Sequence, residues 1–124
     1  MKENKLLVDL SKNERSTEII MPTESEIKNG KIATGILLDN EHVTVWDLTL
    51  APGEATDWHQ HTMDYMFIVI ENGKVRTEYI NGDIQNQDDK PGKIDFRKKD
   101  IPHRLVNMDV CAYKNIVIEF KATR

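Results

Sequence analysis

Gly53 to Gly73 reads GEATDWHQHTMDYMFIVIENG, and this stretch holds two of the chain's four histidines. His59 and His61 stand at i and i+2, a spacing that in extended backbone sends both imidazoles from one face of a sheet. A third, His103, lies far down the chain in DIPHRLVN. Imidazole is the commonest protein ligand for first-row divalent metals, and two from one strand plus one from another let a rigid sheet assemble a site from distant segments. The pattern points to a metal held inside a β-barrel. An isolated H-x-H pair is also compatible with two satisfied core histidines or two surface ones, so the rest of the chain has to decide.

Working outward, Ala51-Pro52-Gly53 is a tight-turn signal that ends a preceding strand, Val43 to Leu50. In that strand Val43, Val45, Leu48 and Leu50 are the apolar members, and the alternation slips near Trp46, where a bulge would fit. An earlier strand, Ile32 to Leu38, is separated from it by the polar turn Asp39-Asn40-Glu41-His42, which makes His42 a solvated surface residue. Downstream of the apolar run Met66 to Ile70, Asn72-Gly73 reads as a type I′ hairpin turn, and Asn81-Gly82-Asp83 repeats the signal after a strand from Val75 to Ile80. Gln85 to Lys90 reads as a polar loop closed by Pro91-Gly92. Ile94 to Phe96, the basic turn Arg97 to Asp100, the His103 strand and a last strand from Val110 to Phe120 complete the chain. Strand-sized runs between regular turn signals, without sustained 3.6-residue periodicity, predict an all-β sandwich or barrel. Residues 30–124 form this barrel domain, and residues 1–29 an N-terminal arm with a short strand that pads the barrel or pairs with a second subunit.

Composition narrows the class. The chain has 124 residues, 31% charged and 39% hydrophobic, which suits one soluble globular domain. A net charge of −4 offers no basic footprint for nucleic acid or an anionic membrane. The opening residues lack an apolar signal core, and no apolar run approaches a membrane span. One cysteine, Cys111, excludes an internal disulfide framework and fits a reducing cytoplasm. On the last strand it reads as a buried small hydrophobe. Trp46 and Trp58 read as core or pocket wall, Arg104 as facing away from the pocket, and Arg76 with Glu78 as a solvated sheet face or barrel mouth.

Gly53, His59-x-His61 and Gly73 together resemble the first motif of the cupins, G-x5-H-x-H-x(3,4)-E-x6-G. The glutamate position falls on Tyr65 or Met66, neither of them acidic. His103 and Asn107 match the end of the second motif, G-x5-P-x-G-x2-H-x3-N, although Lys98 and Asp100 replace its Pro and Gly. Within the cupins, the wording around the histidines is similar to small single-domain proteins associated with β-alanine degradation. The resemblance spans roughly residues 32 to 120. It implies a single-domain jelly-roll β-barrel (double-stranded β-helix), usually a homodimer, with a divalent metal on His59, His61 and His103.

Without the glutamate, the implied site is three neutral imidazoles with the remaining positions open to water or substrate. It would be one unit more positive than a site with the carboxylate, which favours anionic ligands and lowers the pKa of a bound water. Asp64 is placed to act as a fourth ligand, as an acceptor for an imidazole N–H, or as a loop cap. Tyr65, in the three-residue register, points into the pocket as a proton donor, whereas in the other register it faces away. Three functional readings follow. One is a metal-dependent enzyme acting on a small carboxylate or dicarbonyl compound, dioxygenase-type if the metal is Fe. Another is an isomerase, lyase or hydrolase using Zn, Mn or Ni as a Lewis acid. The last is a module that binds or senses a small molecule.

Overall fold

Along the last strand, Tyr113, Asn115, Val117 and Glu119 are buried while Lys114, Ile116 and Ile118 are half-exposed, so a period of two divides the strand between an inner and an outer face. The same alternation recurs along the strands Val43–Leu50 and Gly73–Tyr79. The computed structural model describes residues 4–6 and 19–122. β1 (Asn4–Leu6) and β2 (Ile19–Met21) pair as a ribbon, and α1 (Glu24–Asn29) follows. Eight strands then build the barrel: β3 (Gly35–Asp39), β4 (Val43–Leu50), β5 (Tyr65–Glu71), β6 (Gly73–Tyr79), β7 (Ile84–Asp89), β8 (Ile94–Arg97), β9 (His103–Asn107) and β10 (Tyr113–Phe120). They form a five-stranded sheet in the order β3-β4-β10-β5-β8 and a three-stranded sheet in the order β7-β6-β9, with every pairing antiparallel. The chain crosses from one sheet to the other between β5 and β6 and at every step from β7 to β10, the jelly-roll arrangement expected from the sequence. The core between them is Leu48, Leu50, Tyr65, Val69, Val75, Tyr113 and Val117.

Several local expectations need correction. β4 pairs with β10 without interruption and turns Thr44, Trp46, Leu48 and Leu50 inward, not Val43 and Val45. The irregularity near Trp46 lies on its neighbour β3, where the register shifts between Ile36 and Leu38. Asn72-Gly73 is no hairpin, because β5 and β6 belong to different sheets and Gly73 does not adopt positive φ. Glycine is needed there for space: a Cβ would lie 2.9 Å from Tyr113 Cδ1. Gln85 to Lys90 is largely strand β7, polar because it is a sheet edge with its outer side in water. Asn81-Gly82-Asp83 does turn a hairpin between β6 and β7, with Gly82 at φ 97°.

Cys111 is exposed on the bend before β10 rather than buried. Glu78 is buried, with Arg76 at 2.7 Å and Arg104 at 2.7 Å covering it, so that face is an ion-paired lid and not a freely solvated surface. In the N-terminal arm the short helix α1 went unforeseen, although Thr23 and Glu26 close a reciprocal capping box at its start. Its C-cap, Gly30, presses against the barrel so closely that a Cβ would fall 1.9 Å from the Trp58 carbonyl oxygen. Among the described residues no helix is long and apolar enough to cross a membrane.

Candidate metal centre

The segment between β4 and β5 is not a regular strand. It lies along β9 through two isolated bridges, Ala55 with Val106 and His59 with His103. His59 and His103 exchange both backbone hydrogen bonds, at 3.0 and 2.9 Å, and so face each other directly. Extended backbone through Gln60 then delivers His61 to the same side, as the i, i+2 spacing requires. The three side chains meet: one ring nitrogen from each lies within 4.8 Å of the others, and this is the cluster of metal-ligating groups found among the described residues.

Each imidazole is poised differently. His59 Nδ1 lies 2.7 Å from the Asp57 carbonyl oxygen, which can only accept, so Nδ1 carries the proton and Nε2 is left with a lone pair. His61 Nδ1 lies 3.1 Å from Glu119 Oε2, an arrangement that orients the ring. His103 Nδ1 is buried without a hydrogen-bond partner. Burial, with His61 beside it, pushes the His59 pKa down to about 4. Burial, with both other histidines, pushes His103 down to about 2. Both rings are therefore neutral near pH 7, the state in which imidazole binds a metal. Three ring nitrogens gathered within 4.8 Å in a buried place, two of the rings held neutral, fit a divalent cation.

Glu119 escaped the reading of the sequence. It is buried on the inner face of β10, where burial works against its charge, but hydrogen bonds from His61 and from Trp46 Nε1, at 2.9 Å, hold its carboxyl below the usual range. The signal was present: counting by twos from Tyr113 reaches Asn115, Val117 and Glu119, an acid on the core face of an apolar strand. Tyr65 faces inward in the three-residue register, stacked on His61 with ring centroids 3.6 Å apart. Burial pushes its phenol up to about 12. Asp64 does not join the histidines; its Oδ1 accepts from the Lys99 amide at 3.1 Å, the loop-cap role.

The histidines and Tyr65 open on a cavity of about 50 Å³ whose wall includes Phe67, Arg97 and Asn115. That is space for a few water-sized groups. Arg97, expected in a basic turn, is the last residue of β8, paired in register with Tyr65, and its Nε and Nη2 both bond Asp95. As expected, Arg104 faces away from this cavity, its guanidinium 5.3 Å over the Trp58 ring, and His42 is exposed. Trp46 packs against the core, and Trp58 is buried beneath Arg104.

The family model described as auxin binding protein matches residues 6–116. The chain belongs to this family. It is a small cupin, and it is similar, at 31% identity over 72 residues, to the β-alanine degradation protein BauB of Pseudomonas aeruginosa, covering 58% of this chain and 75% of that protein. Among solved structures it is similar to a cupin domain from Bordetella pertussis Tohama I, at 28% identity and TM-score 0.64, over 75% of this chain and all of that one. An RmlC-like cupin with a double-stranded β-helix fold from Methanocaldococcus jannaschii shares the fold at 20% identity and TM-score 0.58, over 70% of this chain and 77% of that one. In this cupin the register of the first motif's glutamate is occupied by Tyr65, and an acid reaches His61 from the other end of the chain, as Glu119.

Proposed function

We propose that this cupin is a metal-dependent enzyme acting on a small carboxylate or dicarbonyl compound. The observation that carries the reading is the convergence of three imidazoles without a carboxylate among them, beside Tyr65 and Arg97 in one small cavity. His59, His61 and His103 would hold a divalent ion. Bound there, that ion supplies Lewis acidity to a substrate oxygen or, as iron, the means of using O2. Arg97, fixed by Asp95, brings positive charge to the cavity wall for an anionic substrate. With its pKa raised, Tyr65 keeps its proton near neutral pH and donates a hydrogen bond to a substrate oxygen. The name of the Pseudomonas relative supports a small carboxylate, since β-alanine is one. A net charge of −4 favours a small-molecule partner over nucleic acid, and the exposed thiol of Cys111 suits the reducing cytoplasm.

The test is metal analysis of untagged protein beside His59→Ala and His103→Ala. Near-stoichiometric metal in the wild type, lost in both variants, is the expected result. A redox-active metal leads to O2-dependent chemistry and a redox-silent one to an isomerase, lyase or hydrolase. Tyr65→Phe keeps the metal and loses turnover by about 10²-fold or more. Wild type that stays empty after reconstitution with Fe, Mn, Ni and Zn sinks the reading.

A further inference from the structure

One polar atom of the cavity wall is left over. Asn115 stands on the inner face of β10, only 3% exposed, and its Oδ1 has no hydrogen-bond partner among the described residues. Buried acceptors are nearly always paired, because an unmet one has lost water and gained nothing in return. The adjoining strands offer no side-chain donor, since Asn115 pairs with Leu48 on β4 and Val69 on β5, both buried and apolar. Asn115 lines the same cavity as the three histidines, Tyr65 and Arg97.

The orientation of this amide follows from its neighbours. Lys93 Nζ donates to Asp89 Oδ1 at 2.9 Å, so Asp89 is a paired carboxylate that only accepts. Tyr113 therefore gives its single O–H proton to Asp89 Oδ2, at 2.8 Å. What Asn115 presents to the phenol oxygen at 2.9 Å has to be a donor, and that is Nδ2. Turned over, the amide would set Oδ1 against an oxygen whose proton is already committed. Oδ1 is thus held as an acceptor by a chain of bonds that runs back to Lys93.

An acceptor calls for a donor on the ligand. An ammonium group would bring a buried positive charge to a place where the anion beyond, Asp89, is already matched by Lys93. A hydroxyl brings no charge. Tyr65 pairs with Glu119 and Arg97 with Tyr65, so the residues suited to a carboxylate stand level with the partner of His61. Asn115 precedes Glu119 by four residues, roughly 13 Å along the strand. The hydroxyl therefore belongs at the end of the ligand remote from the carboxylate. A cavity of about 50 Å³ admits a chain of roughly three or four carbons.

We propose, resting on the reading of the site as one for small carboxylates, that Asn115 selects a short hydroxycarboxylate by accepting a hydrogen bond from its remote hydroxyl. The test is calorimetric titration of protein carrying the metal it is purified with, under nitrogen to prevent O2-dependent turnover. The probes are 3-hydroxypropanoate and 4-hydroxybutanoate, beside butanoate and pentanoate, in which methyl replaces the hydroxyl. At least one hydroxy acid should bind wild type about tenfold more tightly than its methyl analogue. Asn115→Leu, close to asparagine in size, should bring that ratio to about one with an unchanged circular dichroism spectrum. Asn115→Ala enters the same comparison if the leucine variant does not fold. 3-Aminopropanoate should bind no better than butanoate. Three results overturn the proposal while leaving a carboxylate site in place: equal binding of hydroxy acids and analogues by wild type, a preference that survives substitution of Asn115, or tighter binding of 3-aminopropanoate than of 3-hydroxypropanoate. Failure of all five acids to bind refutes the carboxylate reading and this proposal with it.

Discussion

Glu119 shows how much one side chain can carry. It accepts from Trp46 with one oxygen and reaches His61 with the other, so it fixes a ligand without being one. Glu119→Gln keeps the size but removes the charge that polarises the imidazole. Metal affinity should fall 10- to 100-fold, as for other lost partners of ligating histidines, in a competition titration against a chromogenic chelator. Unchanged affinity would mean that Glu119 serves only Trp46. The histidines make a second prediction for the chelated protein. Above pH 6.5, their ordinary pKa, both folded and unfolded chains carry neutral rings. As pH falls below it, the unfolded chain binds protons that the folded chain refuses until about pH 4 at His59 and about pH 2 at His103. Stability is therefore full above 6.5 and is lost on acidification, with His59 alone accounting for about 3 kcal/mol by pH 4. Urea midpoints measured from pH 8 to pH 4 should fall steadily below 6.5; a flat profile would place the rings in water.

At the scale of elements, α1 has too few turns to be stable alone and is held by its caps and its seat on the barrel. Gly30 is the seat, one residue past the helix and against the Trp58 carbonyl, which immediately precedes His59. Gly30→Ala forces helix and histidine segment apart, because backbone and not a flexible side chain stands in the way. The expected cost is about 1–3 kcal/mol in thermal unfolding, with weaker metal binding than wild type; a variant that binds metal normally would show that the segment is held by β9 alone. That contact joins residues from two loops, so no local pattern announces it. What was legible were features with local signatures: the i, i+2 histidines, the Asn81-Gly82 hairpin, and the strand lengths between turn residues. The Thr23-x-x-Glu26 cap has a local signature too, set among the polar residues of the arm. β7 was hidden because an edge strand with a wet face has a loop's composition. Asn72-Gly73 misled because its glycine answers to Tyr113, forty residues away in sequence. The sequence around Tyr65 fits two registers, and only the pairing of β5 with β8 and β10 chooses between them.

Across the whole molecule, the two sheets are tied at two places with different chemistry. Inside the barrel, Tyr113 of β10 donates to Asp89 of β7 at 2.8 Å, while Asn115 and Lys93 bond the same pair. At the cavity, β9 supplies His103, the segment beside it His59 and His61, and β10 the supporting Glu119. The first tie runs between protein atoms throughout, with only Asn115 Oδ1 left without a partner. The second gathers three imidazoles that have no common partner in the chain, so a bound cation would strengthen it. Metal should therefore raise stability by mass action, about 2.7 kcal/mol at a hundredfold excess over Kd, or roughly 10 °C in Tm for a chain of this size. His103→Ala should abolish that increment. Tyr113→Phe, which leaves Asp89 short of a donor, should lower the Tm of metal-free and metal-loaded protein by the same amount, worth about 1–3 kcal/mol, and leave the increment intact. Calorimetry of the two variants with and without metal separates the ties. If Tyr113→Phe erased the increment, the ties would form one cooperative unit and metal would be reporting on closure of the whole barrel rather than on its own site.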